Sequence, residues 1–121
     1  MRALAAFNKL GHRPTAVLCS NDMTAIGVMR EAYDLGIQIP NQLSVVGFDD
    51  IRLAEFTTPP LTTVRMSQME LAKIAFEALL DEVKRESPLN ERKECEMNTS
   101  LVLRRSTALA QPAKNPATPA R

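Results

Sequence analysis

Apolar residues in this chain fall into short continuous runs separated by longer stretches of helical periodicity. "TAVLC" (residues 15–19) is an apolar run of strand length, and "SVVGF" (residues 44–48) is a second, with too little alternation for a strand that is wet on one face. Between them, "SNDMTAIGVMREAYDLG" opens on capping residues and closes on Gly36. It sets Ala25, Ile26, Met29, Ala32 and Tyr33 on one broad face, which predicts an amphipathic helix. Pro40 and Asn41 mark the connector, so residues 15–48 read as one β-α-β unit. Ahead of it, Leu4, Phe7 and Leu10 stand at near-helical spacing before Gly11 and Pro14, which predicts a first helix ending near Leu10.

Beyond Asp50, "IRLAEFTTPPLTTVR" carries a Pro-Pro pair and reads as a loop or short helical turn leading into an extended segment at residues 61–65. The next stretch, "SQMELAKIAFEALLDEVKRE", begins with Ser67 and Glu70 in the S-x-x-E capping arrangement. Its apolar stripe of Leu71, Ile74, Ala75, Ala78 and Leu79 predicts a long helix. A polar loop over residues 87–96, a last strand in "TSLVLRRS" and a tail at residues 108–121 complete the pattern. Three of the eight prolines fall in the last ten residues, and the tail is too poor in apolar bulk to order itself. The fold class is α/β, a parallel sheet flanked by helices.

Charge narrows the function. Fifteen basic against fourteen acidic residues leave a net charge of +1, too small a field to hold a phosphate backbone. Two cysteines, Cys19 in an apolar run and Cys95 in a charged one, do not make a disulfide framework and fit a reducing compartment. No apolar stretch approaches the ~20 residues of a membrane span, and the opening residues lack a signal peptide's apolar core, so a cytoplasmic location is expected.

The candidate chemistry sits at strand ends. Parallel strands joined by a right-handed crossover finish on the same sheet edge, which brings Ser20, Asn21 and Asp22 to the rim that carries Asp49 and Asp50. Ligands of open α/β sheets bind beyond the carboxyl ends of the strands, and a rim rich in acceptors suits sugar hydroxyls or a ligand amine. Simpler roles compete at each position. Asn21 or Asp22 can serve only as a helix N-cap, and Asp49 and Asp50 can serve only as turn formers. His12 reads as a surface residue, Cys19 as a small buried hydrophobe, Met23, Met29, Met66 and Met69 as core or interface filler, and Arg104 and Arg105 as solvated strand ends.

No metal-ligand spacing, nucleophile elbow or Gly-rich phosphate loop occurs, and no metal, cofactor or catalytic set is expected. The one enzymatic alternative is Mg²⁺-dependent phosphoryl transfer on strand-end carboxylates. It needs a later phosphoacceptor and Lys that "TTVR" and "VLRRS" do not supply.

The ordered set P-T-A, S-N-D, V-V-G-F-D-D and P-P-L-T-T-V, running from about Ala3 to Thr107, resembles the C-terminal part of LacI/GalR-type transcriptional repressors. The resemblance implies a partial type I periplasmic-binding-protein-like core of an effector-responsive, homodimeric, non-enzymatic regulator. It implies that residues 1–63 and 97–107 belong to the C-terminal subdomain and that residues 64–86 cross to the N-terminal one. The DNA-binding headpiece that such proteins use on operators is expected to be absent from this chain. Effector contacts carry over to Asn21 and Asp49, with Asp22 and Asp50 beside them, and the dimer interface to Met23, Ile26, Met29, Leu53 and Phe56. Met66 stands where the family often has Gln. A sugar-binding transport component with the same core is the alternative.

Overall fold

A computed structural model of the chain describes Leu4, residues 14–84 and residues 94–110. The expected first helix, His12, residues 87–93 of the predicted loop and most of the tail lie outside these residues, although Leu4 itself is helical and buried. The remaining elements appear in the expected order. They are β1 (Ala16–Leu18), α1 (Asp22–Asp34), β2 (Ser44–Phe48), a 3-10 turn (Arg52–Glu55), β3 (Thr62–Met66), α2 (Gln68–Val83) and β4 (Thr99–Val102).

The strands form one sheet in the order β1-β2-β3-β4, with the first three parallel and β4 antiparallel to β3. The register aligns Val17 with Val45, Gly47 with Thr63, and Phe48 with Val64. The ladder runs on past the strand ends, since the Cys19 N–H donates to the Val46 carbonyl and the Asp49 N–H to that of Val64. Both parallel neighbours of β2 therefore stop at the same edge.

α1 packs on the sheet through Asp22, Ala25, Val28, Met29 and Ala32, a true i, i+3, i+4, i+7 face. Ala25 and Ala32 are fully buried, and their small side chains let the helix sit close to β2. Tyr33, expected on that face, is exposed; Val28 takes its place, because the stripe is centred one residue nearer the N-terminus than its aromatic suggests. Val45 and Leu61 fill the interior from β2 and the approach to β3. The Cys19 thiol joins them, and burial pushes its pKa up.

The segment after β4 is not a frayed end. The Ser106 hydroxyl is fully buried, donates to the Val45 carbonyl at 2.6 Å and accepts from the Thr62 N–H at 2.8 Å, so it stitches β2 to β3. The expected stripe on α2 behaves differently. Ser67 caps the helix by accepting from the Glu70 N–H at 3.2 Å, yet α2 buries no residue. Met69, Phe76, Leu79 and Val83 are all more than half exposed, so the stripe has no partner among the described residues. None of the helices among the described residues is long and apolar enough to cross a membrane.

Candidate functional site

The strand-end rim begins with two adjacent residues that do different work. Asn21 is the N-cap of α1: its backbone is extended, and its side-chain oxygen accepts from the Thr24 N–H at 2.8 Å. That bond fixes which way the amide faces and leaves its nitrogen as a donor on the half-buried rim. Asp22, offered from sequence as a possible cap or ligand contact, does not cap the helix. It is fully buried; one carboxylate oxygen accepts from the Thr63 hydroxyl at 2.5 Å, and the other accepts from the Ile51 N–H at 2.8 Å. Gly47 makes room for it, since a Cβ there would collide with the Asp22 carboxylate. The glycine within "SVVGFDD" thus exists for a carboxylate from the neighbouring helix.

The turn after β2 is the unusual backbone of the chain. Asp49 has φ +109° and Asp50 φ +53°, consecutive left-handed residues that are not glycine. They fold the chain back, so that the Asp50 N–H meets the Thr63 hydroxyl at 3.4 Å while the Ile51 N–H reaches Asp22. Strain of this kind, of order 1–3 kcal/mol for such a residue, persists only where surroundings enforce it and concentrates at functional sites.

The two carboxylates of this turn differ in partners. Asp50 is buried to 8% side-chain exposure and takes Arg65 Nε on one oxygen and Arg104 Nη2 on the other, each at 2.6 Å. Burial alone would raise its pKa. Hydrogen bonds from Arg104 and Arg65, reinforced by their charges, outweigh it and hold the carboxyl below the usual carboxylate range. Asp49 is half-buried, and among the described residues its carboxylate meets no hydrogen-bond donor or cation. Asn21 and Asp49 together present a donor and an acceptor, the combination that a sugar hydroxyl satisfies from both sides.

Arg104 corrects its reading as a solvated strand end. Its side chain is only 11% exposed and donates to the Leu61 carbonyl at 2.9 Å, to Asp50, and to Glu55 at 3.3 Å. Only its burial distinguishes it from Arg105, which is exposed. Of the expected interface set, Met23, Leu53 and Phe56 are exposed and Ile26 is half-buried. Met29 lies in the core, because its position faces β2. A concavity of about 530 Å³ lies between Met29, Tyr33, Ile37, Asn41 and Pro59. These residues precede β2 and β3, so it opens at the sheet edge opposite to the carboxylates.

The depressed pKa of Asp50 has a measurable consequence. A group whose pKa is lower folded than unfolded stabilises fully above its unfolded value and loses that contribution as pH falls through the folded one. The stability gap between wild type and Asp50→Asn is therefore expected to hold from neutral pH to about pH 5 and to narrow below about pH 4. Urea melts across that range check it; a gap that is constant with pH would show that Asp50 carries no ionisation-linked stability.

Comparison with known proteins adds context to this geometry. The periplasmic binding protein-like domain family matches residues 1–107. The HTH-type transcriptional repressor PurR of Vibrio vulnificus is 44% identical over 92 residues, which is 76% of this chain and 27% of that protein. The chain thus spans about a quarter of the length of the curated relatives it matches. Among solved structures, a LacI-type transcription regulator from Bifidobacterium animalis subsp. lactis is similar with a TM-score of 0.74 at 30% identity, over 89% of this chain and 38% of that one. A LacI family regulator from Enterococcus faecium with bound ribose gives 0.68 at 30% identity, over 86% of this chain and 38% of that one.

Proposed function

The chain belongs to the periplasmic binding protein-like domain family, in its LacI/GalR-type branch, and from that premise we propose that it is the effector-sensing C-terminal part of a cytoplasmic DNA-binding transcriptional regulator. Asp49 carries the reading. It is a carboxylate without a partner among the described residues, on enforced left-handed backbone at the carboxyl ends of parallel strands. The effector is a sugar or a related polyhydroxylated molecule, with Asp49 accepting from a hydroxyl and Asn21 donating to one. Bound ribose, glucose and sucrose in related regulators support this class. Asp22 and Asp50 support the contacts from beneath, since their oxygens are engaged within the fold. α2 docks its apolar stripe on the N-terminal subdomain of the regulator, which gives Phe76 and Leu79 the cover they lack among the described residues.

Operator recognition belongs to a headpiece outside this chain. With a net charge of +1, the 121 residues alone are expected to give no sequence-selective shift of operator DNA. The intact regulator should shift it, with an apparent affinity that changes at least ~10-fold on adding the cognate sugar, a coupling of about 1.4 kcal/mol. A gel-shift titration with D-ribose, D-glucose and sucrose decides this. Selective binding by the chain alone, or operator affinity indifferent to every sugar, would reject the reading.

Self-association follows from the same proposal. Met23, Ile26, Leu53 and Phe56 offer apolar surface on α1 and the 3-10 turn. Sedimentation of the intact regulator should show a dimer that Ile26→Glu weakens, and a monomer at tens of micromolar, on the order of a modest dimer's Kd, would count against it.

A further inference from the structure

Asp49 and Asp50 are chemically alike and adjacent, yet both cations that bond a carboxylate of this turn go to Asp50. Arg104 is fixed from three sides, by Asp50, Glu55 and the Leu61 carbonyl. Arg65 is not. Its side chain is 58% exposed, and Asp50 is its one anionic partner among the described residues. The backbone of Asp49 lies beside that of Arg65, because the Asp49 N–H donates to the carbonyl of Val64, the residue before it. A guanidinium one ladder position from a carboxylate that has no partner among the described residues is the first candidate to pair with it, unless another acceptor holds it better. Asp50 does hold it better, because its side chain is 8% exposed and the attraction there is less screened than on the half-buried Asp49.

We propose that Asp50 is a positioning residue for the effector contact made by Asp49: by occupying Arg65 and Arg104 it keeps the Asp49 carboxylate free of partners among the described residues and braces the turn that carries it. This rests on the reading of Asp49 as an effector contact. It assigns Asp50 no contact with the effector and gives the repeated aspartate of "FDD" two separate tasks. One carboxylate absorbs the local cations so that the other meets a ligand uncompensated.

The decisive experiment needs no effector. In the 121-residue chain, through-hydrogen-bond NMR correlations from Arg65 Nε are expected to reach the Asp50 carboxyl carbon in wild type. In Asp50→Asn they are expected to move to the Asp49 carboxyl carbon. Asn tolerates left-handed backbone as Asp does, so the turn itself is conserved. Should the unbalanced Arg104 prevent folding, Asp50→Asn with Arg104→Gln removes that cation and leaves Arg65 to report in the same way. An Arg65 that makes no bond to Asp49 in the folded variant overturns the proposal. Calorimetry on the intact regulator with D-ribose supplies a second arm. Asp50→Asn should weaken binding roughly tenfold, and adding Arg65→Gln should restore most of it, because the competing cation is gone. A merely structural Asp50 would not be rescued by removing its partner. If Asp49→Gly binds ribose as wild type does, the effector reading fails on its own, while the NMR arm still decides the partition of the arginines.

Discussion

Gly47→Ala is expected to cost the chain about 3 kcal/mol or more, a large share of the roughly 5–15 kcal/mol that holds a domain folded. A β-carbon at Gly47 would occupy the place of an Asp22 carboxylate oxygen, with the Asp22 carboxyl carbon and Leu61 Cδ2 each at 3.1 Å. Neither neighbour can give way cheaply. Asp22 is fully buried, and moving it strands the Ile51 N–H and the Thr63 hydroxyl, each worth about 1–3 kcal/mol when left unsatisfied. Leu61 is fully buried as well. Gly27→Ala is the control: nothing stands within 4 Å of a Cβ there, so the helix should gain up to about 1 kcal/mol. Urea melts of both variants check the pair, and a Gly47→Ala protein that melts like wild type would mean that Asp22 does not lie under β2.

Asp49→Gly should separate function from stability. At φ +109° any side chain strains the backbone, so glycine relieves about 1–3 kcal/mol while adding about 0.5–1 kcal/mol of unfolded-chain entropy. The melting temperature of the variant is therefore expected to stay level or rise. Its effector affinity should fall about 10- to 100-fold, the loss of one or two charge-assisted hydrogen bonds of roughly 1.5–3 kcal/mol each. Alanine is the poorer probe, because it removes the carboxylate but keeps the strained Cβ. A stabilised protein that no longer senses its effector is the signature of a residue held for binding.

Element order was legible in the chain because each element announces itself locally. The S-N-D cap, the glycine at position 36, the β-branched run at residues 44–48 and the Ser67 cap all act within a few residues of themselves. The rim was legible too, since the two strands of a β-α-β unit run parallel and so bring Asn21 and Asp49 to one edge without any side-chain detail. What each rim residue does was not. Asp22 and Thr63 meet across 41 positions, and Arg104 and Asp50 across 54, distances over which neither periodicity nor motif spacing carries a signal. Asp22 therefore reads as a cap until Gly47 is seen against it, and Arg104 as a solvated end until Asp50 folds back to it. Tyr33, expected on the core face and found exposed, was misplaced for a related reason. A helix face is legible to within about one position, and that is enough to exchange core for surface.

Calorimetric titration of D-ribose, D-glucose and sucrose into the intact regulator, wild type beside Asp49→Gly and with thermal melts of both, tests the rim assignment most directly. Saturable binding of one of these sugars to wild type, weakened at least ~10-fold in a variant that melts no lower, is the predicted result. Equal affinity in two equally stable proteins would contradict it and leave Asp49 as a turn residue.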